Sequence, residues 1–264
     1  MNDSDPQALL RFAHELIDET DDILRHHFAT GAAVSRKADQ TLVTAADTEV
    51  EAQLRSRLAA ALPGHGFVGE EYGTDEGGGE ARWIIDPIDA TANFVRGVPI
   101  FGTLLALERA GALVLGVVSA PALGQRWWAT AGGGAFTQVA GRERRISVST
   151  VGRLDEAQLL FATLRTMDEQ HRLAAWLTAV RGSWRDRGFG DFWGHVLVAQ
   201  GSAEAMYEDH GVHLWDLAAP HIIVAEAGGR MTDLAGRPSW AGPDALTTNG
   251  LLHDELLELI GGAA

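Results

Sequence analysis

The order of hydrophobic patterns constrains the fold of this 264-residue chain more than any single residue does. Leu9, Phe12, Leu16 and Ile17, then Ile23, Leu24 and Phe28, recur at helical spacing and predict an amphipathic helix over 7–29. Val50, Leu54, Leu58 and Leu62 repeat every fourth residue and predict a second helix over 45–62, ended by Pro63-Gly64. Residues 73–80, glycine-rich and acidic, read as a flexible loop. Trp83 to Ile85 read as the end of a buried strand stopped by Asp86-Pro87. Strands are expected over 101–107, 113–119, 125–130 and 135–139. Beyond about residue 150 the pattern alternates: strand 158–163, helices 168–181 and 191–200, strand 203–207, helix 214–227, strand 230–233, helix 252–260. The first half therefore reads as α+β and the second as α/β. No linker separates them, so an N-terminal lobe (1–150) and a C-terminal lobe (151–264) are expected within one continuous body.

Charge narrows the function classes. Lys plus Arg is 21 and Asp plus Glu is 36, a net charge of −15. A general nucleic-acid binder needs a basic face, and an anionic membrane repels such a chain. A phosphorylated small molecule remains compatible, because a bound divalent cation inverts the local field. The absence of cysteine excludes disulfides, thiolate nucleophiles and cysteine metal sites. Residues 1–7 are polar, with no basic and apolar signal pattern, and no apolar run reaches a membrane span, so a cytoplasmic protein is expected. Lys37 is the only lysine beside 20 arginines.

Three segments place acids directly after apolar or aromatic residues: Gly69-Glu70-Glu71, Asp86-Pro87-Ile88-Asp89-Ala90-Thr91, and Trp215-Asp216. Taken singly, Asp86 reads as a turn residue, Asp89 as the cap of a helix starting at Ala90-Thr91, and Asp216 as a hydrogen-bonding helix residue. Taken together, a tight turn aims Asp86, Asp89 and the Ile88 carbonyl at one point, the oxygen set that Mg²⁺ prefers. Amides of Ala90 and Thr91 at a helix start would make an anion site beside it. His195, His213 and His221 have no ligand-like spacing, and no nucleotide-binding glycine motif is present.

These segments, GEE (69–71), WIIDPIDATANF (83–94) and WDLAAPHIIVAEAGG (215–229), with VTAADTEVE (43–51), resemble in order and spacing the Mg²⁺-dependent inositol monophosphatase family. NFVRGVPIFGTLLAL (93–107), GVVSAPALGQRWWAT (116–130) and RGFGDFWGHVLVAQG (187–201) resemble its bacterial histidinol-phosphate phosphatase branch. The resemblance implies a layered αβαβα sandwich, a homodimer, and hydrolysis of a phosphate monoester with two or three Mg²⁺. It implies Glu70, Asp86, Asp89, Asp216 and the Ile88 carbonyl as metal ligands. Glu70 and Thr91 would position the attacking water, and Asp47 would stand behind the ligands or on a third ion. Ala90 replaces the family's usual glycine; a positive φ there would cost roughly 1 kcal/mol or more, and a negative one little. Ala92 likewise removes a side chain.

For the alcohol part of the substrate, the resemblance implies an acidic contact at Asp209, seven residues before Asp216; Asp191 is a further candidate, and Arg187 would approach the phosphate or a partner subunit. Two acids there suit a cationic amino alcohol such as histidinol, or the hydroxyls of a cyclitol. Asp191 reads equally as the N-cap of a helix over 192–200, and Arg187 as a solvated surface charge. Three functions follow: hydrolysis of L-histidinol phosphate in histidine biosynthesis, hydrolysis of an inositol or specialised-pathway phosphate, or a catalytically weak homologue that binds metal or phosphate.

Overall fold

The computed structural model describes residue 3 and residues 5–37 and 42–261; of the polar stretch 1–7, residues 1, 2 and 4 lie outside it. The chain opens with α1 (Pro6–Thr30), β1 (Val34–Arg36), β2 (Leu42–Thr44) and α2 (Ala45–Ala61). There follow β3 (Gly66–Gly69), β4 (Gly73–Asp75), β5 (Ala81–Asp89), α3 (Thr91–Val95), β6 (Gly102–Arg109), β7 (Ala112–Ala120), β8 (Gln125–Thr130), β9 (Gly134–Val139) and β10 (Arg142–Ile146). The second half runs β11 (Gln158–Phe161), α4 (Leu164–Glu169), α5 (Leu173–Gly182), β12 (Arg185–Arg187), α6 (Asp191–Ala199), β13 (Ala205–Glu208), α7 (Leu214–Glu226), β14 (Arg230–Thr232), β15 (Ala245–Thr248) and α8 (His253–Gly261).

Two mixed sheets organise these elements. The larger has order β10-β9-β8-β7-β6-β5-β3-β4 and the smaller β12-β11-β13-β15-β14. Side-chain alternation in the larger sheet sorts its residues between two cores. Trp83, Ile85, Leu105, Leu107, Leu115 and Val117 pack with Leu9, Leu16, Leu24, Val50 and Leu54 of α1 and α2. Their neighbours Ile84, Leu104, Ala106 and Val118 pack with Val196 of α6 and Leu217, Ala218 and Ile222 of α7. A third core joins Leu159, Tyr207 and Leu246 of the smaller sheet to Trp176 of α5 and Leu256 of α8. The layers are therefore α1/α2, large sheet, α6/α7, small sheet, and α5/α8 with α4, the αβαβα sandwich that the resemblance implied.

Three local expectations are corrected. Strand β5 does not stop at Asp86-Pro87 but runs to Asp89. The helix expected over 168–181 is two helices, broken where His171 takes φ 59. The loop expected over 73–80 begins as β4. Strands β1, β10 and β12 escape sequence reading because they are short and largely exposed, with no apolar alternation. No helix among the described residues is long and apolar enough to cross a membrane.

Helix α7 lies so close to β7 that the sheet needs glycine at 116. A Cβ there would sit 2.6 Å from Ile222 Cγ2 and 2.9 Å from the Ala219 carbonyl oxygen. Gly116→Ala is expected to lower stability by about 1–3 kcal/mol through overpacking. Urea denaturation checks this, and an unchanged midpoint would contradict the close approach.

Candidate active site

The site is built on an irregularity in β5. Asp86 pairs with Leu104 of β6 and Asp89 with Gly102, so Pro87 and Ile88 together oppose Thr103 alone. This is a β-bulge, and it changes parity. In a regular strand, residues three apart point to opposite faces. Ile84 faces the α6/α7 layer, and Asp86 follows it. The bulge turns Ile88 into the α1/α2 core. Asp89 therefore returns to the side of Asp86. The Thr103 hydroxyl donates to the Pro87 carbonyl at 2.9 Å and satisfies the bulge.

Two helix starts meet these acids. Asp89 Oδ2 accepts the Phe192 amide of α6 at 2.5 Å. Asp216, in the first turn of α7, accepts the His213 amide at 2.6 Å and also meets the Asp86 carboxyl in a hydrogen bond. Ligand oxygens of Asp86, Asp89 and Asp216 all lie within 4.8 Å of one another. Asp86 is 1 % exposed, and its Oδ1 has no hydrogen-bond partner. Burial, then the charges of Glu70, Asp89 and Asp216, hold Asp86 well above the usual carboxylate range. Burial and the charges of Asp191 and Asp216 do the same to Asp89. Burial pushes Asp216 up to about 7. Three such oxygens, one of them buried and unpartnered, fit a hard divalent cation.

The other carboxylates are held from α2 and the β3–β4 turn. Glu51 is fully buried, accepts the amides of Glu71 (2.8 Å) and Tyr72 (3.2 Å), and pairs with Arg55. A Cβ on Gly69 would lie 2.0 Å from the Glu51 carboxylate, so the glycine of the GEE segment admits the clamp that presents Glu70. Lys37 places Nζ 2.8 Å from Glu70 and 2.7 Å from Glu71. Partial burial opposes the Lys37 charge, but hydrogen bonds to the two glutamates outweigh it and raise its pKa. Asp47 is fully buried and accepts the Thr44 amide at 2.7 Å and the Thr44 hydroxyl at 2.6 Å. The Thr91 hydroxyl lies 2.9 Å from the Ile88 carbonyl and 3.5 Å from Asp47 Oδ1.

A cleft of about 680 Å³ opens over this cluster, walled by Lys37, Glu70, Asp89, Thr91, Asp191 and Glu208, among others. Asp47 lies beneath it. Several expectations change. Asp89 does not cap α3; Ala90 occupies the N-cap with φ 65 and no side-chain cap, and its amide donates to Asp89 Oδ1 at 2.8 Å. The Ala90 amide is therefore spent within the bulge and not free for phosphate. Asp191 does not cap α6, whose N-cap is Gly190. Asp209 is outside the cleft wall, 3 % exposed, accepting the Thr166 hydroxyl at 2.5 Å. Glu208, one residue earlier, takes its place. Arg187 sits exposed on the edge strand β12, away from the cleft wall, donating to the Asp186 carbonyl at 2.6 Å. Sequence reading missed Lys37 and Glu208 as cleft residues. The first carried a signal in being the sole lysine. The second was hidden by the spacing that favoured its neighbour.

Comparison with known proteins agrees with this geometry. The sequence profile of the Inositol monophosphatase family matches residues 5–262. The chain belongs to the inositol monophosphatase family. A histidinol-phosphatase of Streptomyces coelicolor is 46 % identical over 257 residues, covering 94 % of this chain and 95 % of the relative. A histidinol-phosphatase of Mycobacterium tuberculosis is 44 % identical over 250 residues, covering 94 % and 96 %. The crystal structure of the extragenic suppressor protein suhB from Bartonella henselae superposes with a TM-score of 0.89 at 27 % identity, over 97 % of this chain and 100 % of that one. As a member of this metal-dependent family, the protein is a phosphatase acting on phosphate monoesters.

Two measurements test the site. Ala90 is an L-residue in the left-handed region, so Ala90→Gly should stabilise the fold by about 1 kcal/mol; an unchanged thermal midpoint would contradict the strain. Protonated Asp216 must lose its proton to ligate a cation. Divalent-cation affinity should therefore climb with pH up to about 7, by about tenfold per pH unit for each proton released. Buffer-dependent calorimetric enthalpies would report that proton, and Asp216→Asn should release fewer. Without metal the sign reverses. A carboxyl with a raised folded pKa contributes stability below its unfolded pKa and loses it as pH rises through the folded value. The buried histidines 14, 195, 221 and 253, all lowered, push the other way. The wild type should thus lose several degrees of melting temperature relative to Asp216→Asn between pH 5.5 and pH 8.

Proposed function

We propose that the protein hydrolyses L-histidinol phosphate to L-histidinol and phosphate, with Mg²⁺, as a cytoplasmic homodimer in histidine biosynthesis. The observation that carries the chemistry is the convergence of Asp86, Asp89 and Asp216 within 4.8 Å. The substrate is supported by the two relatives named histidinol-phosphatase at 46 % and 44 % identity.

In this reading Glu70, Asp86, Asp89, Asp216 and the Ile88 carbonyl hold two or three Mg²⁺. Bound there, Mg²⁺ polarises the phosphoryl oxygens, lowers the pKa of a water and stabilises the leaving alkoxide. The chain's own groups do the rest. A hydroxyl has one proton to donate, and Thr91 is placed to share it between Ile88 and Asp47. If the Ile88 carbonyl were to hold the cation, the Thr91 hydroxyl would donate to Asp47 instead. Its lone pair then accepts from the attacking water and fixes its direction. Glu70, displaced from Lys37, accepts the second hydrogen of that water. The Thr91 amide, without an intrahelical partner at the start of α3, contacts a phosphate oxygen. Asp47 keeps its place through Thr44, so it orients Thr91 without touching the substrate.

The test is the initial rate of phosphate release from L-histidinol phosphate with Mg²⁺, beside inositol 1-phosphate. The expected result is a rate abolished by EDTA and much higher on histidinol phosphate. Thr91→Ala should lower kcat by about 100-fold or more with little change in KM. Equal or higher activity on inositol 1-phosphate would overturn the substrate, and activity in EDTA would overturn the metal.

A further inference from the structure

The turn that carries Glu70 is held by groups outside it. Residues 70–72 join β3 to β4, whose pairing closes at Gly69 and Gly73. The three amides of the turn all find partners elsewhere. Glu70 donates to the Ile85 carbonyl of β5 at 3.3 Å. Glu71 donates to Glu51 Oε2 of α2 at 2.8 Å, and Tyr72 to Glu51 Oε1 at 3.2 Å. One helical turn further along α2, Arg55 donates through Nε to Glu51 Oε1 at 2.8 Å and through Nη2 to the Gly73 carbonyl. Its guanidinium also lies over the rings of Phe67 and Tyr72, 5.4 and 5.9 Å from their centres. Glu51 is fully buried, and the Arg55 side chain is 16 % exposed.

Three sequence positions are fitted to this arrangement. Glu51 receives donors from two amides and a guanidinium, and a carboxylate accepts all three because it is acceptor only. Glutamine would turn an N–H₂ group toward one of those donors. Arg55 supplies the counter-charge that a buried carboxylate needs. Gly69 leaves the space: a Cβ there would stand 2.0 Å from Glu51 Oε1 and 2.9 Å from Arg55 Nη2. Neither Glu51 nor Arg55 walls the cleft, whereas Glu70 does. The labour is therefore divided between backbone and side chain. Glu51 fixes the backbone at residues 71 and 72. The Glu70 carboxylate stays on the cleft side against Lys37, 2.8 Å away, free to exchange that ammonium for a cation.

We propose that Glu51, backed by Arg55, is a positioning residue that sets cation affinity through Glu70 alone. This deepens the phosphatase reading above and rests on its assignment of Glu70 to the metal. Glu51 touches neither substrate nor cation. Its contribution is to order the turn in advance, so that Glu70 ligates without first losing the freedom of its backbone. A brace that merely held α2 to the sheet would support the whole fold, and its loss would be felt whether or not residue 70 carried a carboxylate. The two roles therefore separate in a double-mutant cycle.

The test measures Mg²⁺ affinity by calorimetry in wild type, Glu51→Gln, Glu70→Gln and the double variant. No substrate is present, so the result stands whichever phosphate ester the enzyme takes. Glu51→Gln should weaken Mg²⁺ binding by about tenfold or more, and lower kcat on L-histidinol phosphate similarly. In the Glu70→Gln background the same change should cost less than about twofold, the non-additivity of a residue that acts through another. Glu51→Asp keeps the charge beside Arg55 and withdraws the carboxylate from the turn. It should reproduce the pattern with a melting temperature nearer that of the wild type. Equal losses in both backgrounds would show a general brace and overturn the inference. So would wild-type Mg²⁺ affinity in Glu51→Gln and Glu51→Asp. If Glu70→Gln alone leaves Mg²⁺ binding unchanged, the Glu70 assignment falls and takes this inference with it, while the site at Asp86, Asp89 and Asp216 stands.

Discussion

A single extra residue in β5 decides where the acids of this protein go. With Pro87 and Ile88 set against Thr103 alone, Asp86 and Asp89 reach the same side of the sheet and Ile88 is sent to the other. Everything else at the site is arranged around that parity change. Helices α6 and α7 lie on the receiving face and deliver Asp191, Phe192 and Asp216 from their first turns. Helix α2, on the opposite layer, brings Asp47 to Thr91 and Glu51 to the β3–β4 turn. The positive ends of two helix dipoles soften the repulsion among gathered carboxylates but cannot cancel it. The raised pKa values of Asp86, Asp89 and Asp216 record their burial first and that remaining repulsion second.

The fold tolerates this because the cost is local and the surrounding layers are tightly determined. Residues 83–85 and 104–107 alternate between two cores without interruption up to the bulge. Two of the five left-handed non-glycine residues, Ala90 at φ 65 and Asp191 at φ 58, flank the cleft, while Ala110, Ala140 and His171 lie in turns away from it. Left-handed L-residues at a functional site are expected where the surrounding packing over-determines them. Ala90 keeps its conformation through its amide bond to Asp89, and Asp191 through its bond to Glu208.

Much of this was legible in the sequence. The helices α1, α2 and α7 and the strands β6 to β9 follow from apolar spacing, because each buries a continuous face. The acids 86, 89 and 216 were found because carboxylates next to a core need a reason. The bulge was not legible: Asp-Pro looks like a strand terminator, and only the partner strand reveals that pairing resumes at Asp89. Nor was the choice between Glu208 and Asp209. Adjacent residues at a strand end point opposite ways, and the end of β13 fixes which one enters the cleft. For Arg187 the structure favours the solvated reading, on a short exposed edge strand that leaves no apolar pattern to orient it.

The position of Lys37 has a practical consequence for anyone handling the protein. It is the only lysine in the chain, and its ammonium lies at the cleft against Glu70 and Glu71. Amine-directed dyes, cross-linkers and immobilisation resins therefore have one side-chain target, and it stands at the mouth of the active site. Labelling at that amine would plug the cleft, whereas on most proteins it would decorate a surface. The same scarcity makes acylation of a single tryptic peptide a direct gauge of whether that mouth is open.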